Sequence, residues 1–366
     1  MELAQVSRNS GGFYVPAFAV RVARRDLMRE LLIPVSQVEV DLVLSAAGRF
    51  SFTVVNVYDI DRHAFVSGLG QPVLDVLAFG AAVEIRIGYG DVSALDTIMT
   101  GVITEVGTNF PEGGLPELSV AGYDRGFPLT VGKNSRTWAN ASDSDAVAEI
   151  ARFHHLDGEI ESTREKHAQI EQNQETDIDF IKKLAERNHF EFYVRKDTLH
   201  FSKPKDKGDG VVTLKWGEGL LSFKPEANLA GQVSGVEVYG WDTNSKRLIK
   251  GVARAGDESG REPGRQSAAD LLRGPKTQLP MLRLRQPVFT KAEADERAKS
   301  ALNESAKQFL TGEAESIGLP QILPDESVSL LNLGMPFSKT YYVQQSVHKV
   351  DSNGYRTRFK VKETTL

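Results

Sequence analysis

The sequence predicts an α+β fold dominated by antiparallel β-structure. Three observations carry that expectation. Apolar residues alternate in short runs over residues 20–130 and again over 206–366, the period of half-buried strands. Helical spacing is confined to segments near 142–153, 176–188 and 290–310. The two β regions also repeat each other, since Val102, Val106, Leu118 and Val120 match Val343, Val347, Phe359 and Val361 at one constant offset.

The chain has 366 residues, 40% hydrophobic and 25% charged, near the soluble globular average and long enough for two or three domains. Its 44 basic and 49 acidic residues leave a formal net charge of −5. That balance does not support nucleic-acid binding as the main role, although it leaves room for a local basic patch. With no cysteine, a disulfide, a cysteine nucleophile and a thiolate metal site are excluded. The N-terminus lacks a signal-peptide pattern, and the apolar runs fall short of the ~20 residues needed to span a bilayer. The expectation is a protein made in a cytoplasm that stays soluble or joins an assembly. The triplets Asn140-Ala141-Ser142 and Asn303-Glu304-Ser305 carry no weight without secretion.

Residues 1–19 read as an N-terminal extension and 20–130 as a first β-domain. Within it Val38, Val40 and Leu42 share a face, as do Phe50, Phe52 and Val54. Val83, Ile85 and Ile87 precede the turn Gly88-Tyr89-Gly90, and a Pro/Gly-rich loop from Pro111 to Pro116 separates two further strands. Residues 131–205 read as an inserted α+β unit. Ser142 and Asp145 form a capping-box variant ahead of Ala146, Val147, Ile150 and Phe153. A second helix over 176–188 turns Phe180, Ile181 and Leu184 inward, and a hairpin follows over 190–201.

The connector from Lys203 to Gly210 leads to a second β-domain, 206–366, with strands over 211–216 and 233–241. Residues 251–274 read as a polar, Gly-rich mobile loop. The helix 290–310 opens on a Thr290/Glu293 capping box and carries Ala294, Ala298, Leu302 and Phe309 as an apolar stripe. Strands over 341–347 and 355–361 end the chain. The repeat predicts one shared fold for 83–120 and 328–361, with the matched valines facing inward and only the first copy carrying an insert. Three such chains present six similar domains, which can meet a sixfold object on one side and a threefold object on the other.

Four segments carry a family resemblance. Gly122-Tyr123-Asp124-Arg125, followed by Leu129-Thr130 and Trp138-Ala139-Asn140-Ala141-Ser142-Asp143-Ser144-Asp145, resembles the late control protein D family of phage tails, where a similar stretch enters the inserted helical unit. Gln174-Glu175-Thr176-Asp177-Ile178-Asp179-Phe180-Ile181-Lys182-Lys183-Leu184-Ala185-Glu186-Arg187 resembles a signature shared with the spike proteins of type VI secretion. Phe223-Lys224-Pro225-Glu226, Gly231-Gln232-Val233 and Val236-Glu237-Val238-Tyr239-Gly240-Trp241-Asp242 are similar to the family's second β-domain. Tyr342-Val343, Val347-His348 and Gly354-Tyr355-Arg356-Thr357-Arg358-Phe359 are similar to its C-terminal hairpin.

The resemblance covers residues 20 to the C-terminus. It implies a homotrimeric baseplate hub of a contractile tail or injection machine, with β-barrel-like domains around a channel. The implied partners are the tail tube protein, the central spike protein, other baseplate proteins, and DNA or effector cargo that passes without specific binding. It implies assembly in the bacterial cytoplasm and residence in a virion tail or extracellular injection particle. Spike fusions of this kind continue into further β-structure, whereas this sequence ends at Leu366, so the spike is expected to be a separate protein.

No nucleotide-binding loop, nucleophile elbow or zinc-protease helix is present, and Gly88-Tyr89-Gly90 lacks the third glycine of a dinucleotide site. His154 and His155 could suggest a metal, but neighbours on a helix point about 100° apart, which favours structural or solvated roles. Asp177 and Asp179 could suggest paired carboxylates; a helix start that welcomes acids is favoured. Trp216, Trp241, Tyr239, Tyr341 and Tyr342 read as packing residues before partner-facing ones. Arg21, Arg24 and Arg25 read as a solvated face before a channel lining. The expectation is therefore no enzyme, with no catalytic, cofactor-binding or metal-ligating residue and no cofactor. The rival reading, a tail-tip cell-wall hydrolase, needs paired carboxylates in a cleft.

Overall fold

The computed structural model describes residues 2–5, 13, 15–163, 165–206, 208–242, 246–258, 264–273, 280–286, 288 and 290–366. Its contacts divide the chain into two units. The first comprises Met1–Pro204, Ser316–Asp325 and Gln345–Phe359, and the second Lys205–Glu315, Glu326–Gln344 and Lys360–Leu366.

The longer strands that begin the first unit are β1 (Pro16–Val22), β2 (Val35–Val43), β3 (Arg49–Val54), β4 (Ala82–Tyr89), β5 (Thr97–Asn109) and β6 (Glu117–Asp124). They lie in the order β1-β4-β5-β6-β3-β2, antiparallel throughout. Residues Gln345–Val350 pair with β2 on its other side. Alternation puts Val38, Val40, Phe50, Phe52, Val54, Val83, Ile85 and Ile87 in one buried core, as the sequence spacing predicts.

The insert follows with β7 (Asn134–Ser142), α1 (Asp143–Phe153), β8 (Asp157–Ile160), β9 (Lys166–Glu175), α2 (Asp177–Asn188), β10 (Glu191–Arg195) and β11 (Thr198–Ser202). Strands β7 and β9 form an antiparallel pair, and β8-β11-β10 a three-stranded sheet. The apolar sides of both helices close on Leu129, Trp138, Phe192 and Phe201.

The later elements are β12 (Thr213–Trp216), β13 (Gly219–Ala227), β14 (Gly235–Asp242), β15 (Arg247–Arg254), α3 (Ala268–Leu272), β16 (Met281–Arg285), α4 (Lys291–Ala306), β17 (Leu310–Ile317), β18 (Ser327–Leu331), β19 (Lys339–Asp351) and β20 (Gly354–Glu363). Strands β12, β13, β17, β20, β19 and β18 close into a six-stranded ring. Mainly antiparallel α+β structure is thus borne out.

Three expectations need correction. The stretch 251–274 is not all loop: β15 runs to Arg254 and α3 begins at Ala268, capped by Ser267 and Asp270. Residues 259–263 and 274 lie outside the described residues. Gly251, which reads as a loop signal, is a close-approach residue, since a Cβ there would lie 2.1 Å from the backbone of Ala294 on α4. Second, α4 stops at Ala306 and Phe309 is buried beyond it. Thr290 caps this helix through the Glu293 amide, while the Glu293 carboxylate pairs with Arg297 at 2.6 Å. Third, the second β region also carries an insert, since β14-β16 and α4 lie between β13 and β17.

The repeat appears as the same meander, β4-β5-β6 and β18-β19-β20. Leu118, Val120, Phe359 and Val361 are all buried. Val102 is only half-buried, because Met99 and Ile103 take the inward face before a register shift between Ile103 and Glu105 brings Val106 against the core. Val347 is half-buried as well, with Ser346 and His348 on the buried face. The flanks differ, for β4 pairs with β1 antiparallel and β18 with β12 parallel.

Candidate functional site

Helices α1 and α2 open on the same pattern, a hydroxyl residue followed by Asp-x-Asp. Ser142 Oγ accepts from the Asp145 amide at 3.3 Å while the Asp145 carboxylate accepts from the Ser142 amide at 2.9 Å. Thr176 Oγ1 accepts from the Asp179 amide at 3.2 Å. The first aspartate of each pattern, Asp143 or Asp177, is only 1% exposed and reaches the far end of the other helix.

Asp143 accepts from Arg187 Nε at 2.7 Å, from Arg187 Nη2 and from Asn188 Nδ2 at 2.6 Å, all at the end of α2. Asp177 Oδ2 lies 2.6 Å from Nε2 of His154, the residue that caps α1. Asp177 Oδ1 accepts from Arg136 at 2.7 Å, Gln172 at 2.7 Å and Asn134 at 3.0 Å. Each helix start thus meets the other helix's end, where the two dipoles favour opposite charges. Burial raises the Asp177 carboxyl, but the bonds from His154, Gln172 and Arg136 outweigh it and hold the group far below its usual range.

Burial also shifts Asp124 and His348. Asp124 accepts from the amides of Gly48 at 2.6 Å and Gly126 at 2.8 Å, yet burial pushes it up to about 7. His348 Nδ1 meets the Tyr355 hydroxyl at 2.9 Å and Nε2 meets the Ile322 carbonyl at 3.1 Å; burial pushes the ring down to about 4. Both can exchange a proton, and both are shut away from solvent.

On the three-stranded sheet β15-β14-β16, helix α4 covers one face through Ala294, Ala298 and Leu302 against Val236, Val238 and Ala253. On the other face Glu237 accepts from Lys250 at 2.8 Å, Tyr239 at 2.6 Å and Arg283 at 3.3 Å. The bonds from Lys250 and Tyr239, followed by that from Arg283, hold Glu237 well below the usual carboxylate range.

Of the residues singled out in the sequence, the structure joins His154 to Asp177 and leaves His155 and Asp179 outside that contact. His155 is exposed, with φ of 56°. Trp216 and Trp241 are not core residues, being 63% and 56% exposed, whereas Tyr341 and Tyr342 are buried and Tyr239 half-buried. Their strands present these indoles on an open face, which alternation alone cannot tell from a covered one. Arg21 pairs with Glu84 at 3.5 Å, and Arg24 and Arg25 are exposed. Among the described residues no group of three or more His, Asp or Glu side chains could hold a metal ion, and no helix is long and apolar enough to cross a membrane. Arg136, Gln172 and Asn134 were missed because β7 and β9 are polar strands with little apolar alternation. The repeated hydroxyl-Asp-x-Asp pattern was the available signal.

The family model described as the Alg8 N-terminal domain matches residues 35–352. The chain belongs to this family. No curated protein matches. The fold is similar to that of a 43 kDa tail protein of prophage MuSo2 from Shewanella oneidensis, with a TM-score of 0.69 and 13% identity over 94% of this chain and 97% of that one. A tail protein from Neisseria meningitidis MC58 gives a TM-score of 0.67 and 16% identity over 96% and 97%. An E. coli component of the type VI secretion system gives 0.55 and 12% over 93% and 76%. At the level of the fold, these likenesses bear out the resemblance to phage tail hub proteins drawn from the four sequence segments.

Proposed function

We propose that this member of the Alg8 N-terminal domain family is a structural baseplate hub subunit of a contractile phage tail or phage-like injection machine, related to late control protein D and not an enzyme. Three copies form a ring that adapts a hexameric tail tube to a trimeric central spike, with other baseplate proteins around it and DNA or effector cargo crossing its lumen. Its organisation is an extension, 1–19, a first hub domain, 20–130, an inserted unit, 131–205, and a second hub domain, 206–366. It assembles in the bacterial cytoplasm and resides in the tail or particle. The observation that supports this most is the end-to-end match in fold to a prophage tail protein, 94% of one chain against 97% of the other. The repeated meander supports it too, since it gives three chains six similar β-domains.

Light scattering on concentrated protein, and electron microscopy of the assembled particle, test the proposal. The expected result is about three times the 40.3 kDa chain mass and a threefold ring at the tube end. A single copy per assembled particle overturns the trimer. Release of soluble fragments from purified peptidoglycan would favour the tail-tip hydrolase instead.

A further inference from the structure

The open face of the β15-β14-β16 sheet combines features that the rest of the hub reading does not use. Along β14 it presents Glu237, Tyr239 and Trp241 in alternate positions. The strand register places Lys250 and Arg285 on either side of Tyr239, Arg283 beside Glu237, Arg254 beside Gly235 and Leu248 beside Trp241. Lys250, Arg254, Arg283, Arg285, Leu248 and Trp241 are all exposed. Four exposed cations therefore share this face with Glu237, which pairs with Lys250 and Arg283, and with Asp257, which accepts from the Arg254 amide at 2.8 Å, on a chain whose formal net charge is −5.

We infer that this face binds single-stranded nucleic acid without sequence preference, with Trp241 stacking on a base and Lys250, Arg254, Arg283 and Arg285 contacting phosphates. Every base offers a π-face to an exposed indole, so stacking is tolerant of sequence, and clustered cations release counterions from a phosphodiester chain. Glu237 holds the heads of Lys250 and Arg283 over the sheet through its ion pairs, and Lys250 Nζ lies 5.4 Å from the Tyr239 ring centroid. The rows from Gly235 to Trp241 extend about 20 Å along the strand at ~3.3 Å per residue, room for a short extended strand.

A comparison within the molecule separates this face from an ordinary sheet-surface ion pair. On β4, Glu84 is likewise held by Arg21 at 3.5 Å and Arg86 at 2.7 Å. There the charge cluster has no exposed tryptophan and two bordering cations in place of four. The additional Arg254 and Arg285 and the bare indole are what a polyanion carrying aromatic bases would use; an acidic protein surface would use only the charges. The inference does not depend on the hub assignment.

Anisotropy of a labelled oligodeoxythymidine of about 12 nucleotides, titrated with the full chain at low salt, tests it. Saturable binding is expected, weakened about tenfold by Trp241→Ala and retained by Trp241→Phe. Replacing Lys250, Arg283 and Arg285 together by alanine should flatten the slope of log affinity against log salt by about 2. Circular dichroism of each variant shows whether it remains folded, and the Phe variant keeps the test open if the Ala variant does not. Absence of binding at low salt, indifference to Trp241→Ala, or equal competition by polyglutamate overturns the inference. A fall in particle mass caused by the triple variant would also overturn it, by assigning the face to contact between copies.

Discussion

In the insert after the first β region, α1 and α2 are tied by two buried aspartates that reach Arg187, Asn188, His154 and Arg136. In the insert of the second region, α4 lies on β14 and β15 mainly through the small residues Ala294, Ala298, Gly251 and Ala253, with the Asp295 carboxylate accepting from the Val252 amide at 3.1 Å. The first contact depends on groups that must be present; the second depends on side chains that must be absent. A charge lattice leaves uncompensated ions when one member is lost. A small-residue contact forfeits helix-to-sheet proximity when a methyl is added.

The largest effect is therefore expected in the first insert. Asp177→Ala leaves Arg136 and His154 facing a vacated site and should cost about 3–5 kcal/mol, as for breaking a buried pair. Urea unfolding would measure it, and a loss below about 1 kcal/mol would show that solvent replaces the carboxylate.

Gly251→Ala tests the other contact. In an open strand this change is mildly favourable, but here the new Cβ would sit 2.1 Å from Ala294, and the overpacking should cost ~1–3 kcal/mol. An unchanged melting temperature would mean that α4 slides freely, and the contrast between the inserts would lose half its content.

Acid should separate the two contacts without mutation. The Asp177 carboxyl is depressed on folding, so its stabilisation is present above the unfolded value of about 3.9 and is lost as pH falls through the lower folded value. Hydrogen exchange should then show α1 and α2 losing protection below about pH 4, while α4, whose contact carries the half-buried Asp295 in place of two buried aspartates, changes less.

Asp124 has the opposite sign, which sharpens the point that burial without cations is not a lattice. Its carboxyl is raised to about 7, so its contribution is complete below its unfolded value and is lost as pH rises through about 7. The wild type should lose stability across that window, and Asp124→Asn should flatten the loss in pH-dependent thermal melts.

The smallest effect belongs to the exposed ion pair Lys291–Asp295 at 2.7 Å on the first turn of α4. Lys291→Ala should change stability by less than about 0.5 kcal/mol. A larger loss in urea titrations would show that charge matters in the second insert as well.

Helix α1 was legible because Ser142 and Asp145 sit at capping distance ahead of an apolar stripe, and both capping bonds form. Its buried partner network was less so, since Arg136 and Gln172 lie on polar strands that periodicity passes over. Gly251 reads as loop punctuation in a polar stretch, and only the proximity of α4 reveals why a glycine stands there.

Local pattern alone determined the antiparallel β character, the helix starts at Ser142, Thr176 and Thr290, and the repeated meander, because strand period, capping and turns act between residues close in the chain. Tertiary structure decided which ionisable side chains are buried together, which indoles stay bare, and which strands close the six-membered ring. Those outcomes depend on contacts between residues distant in sequence. Desolvation and close approach, which set the states of Asp177, Asp124 and Gly251, exist only once such contacts are made.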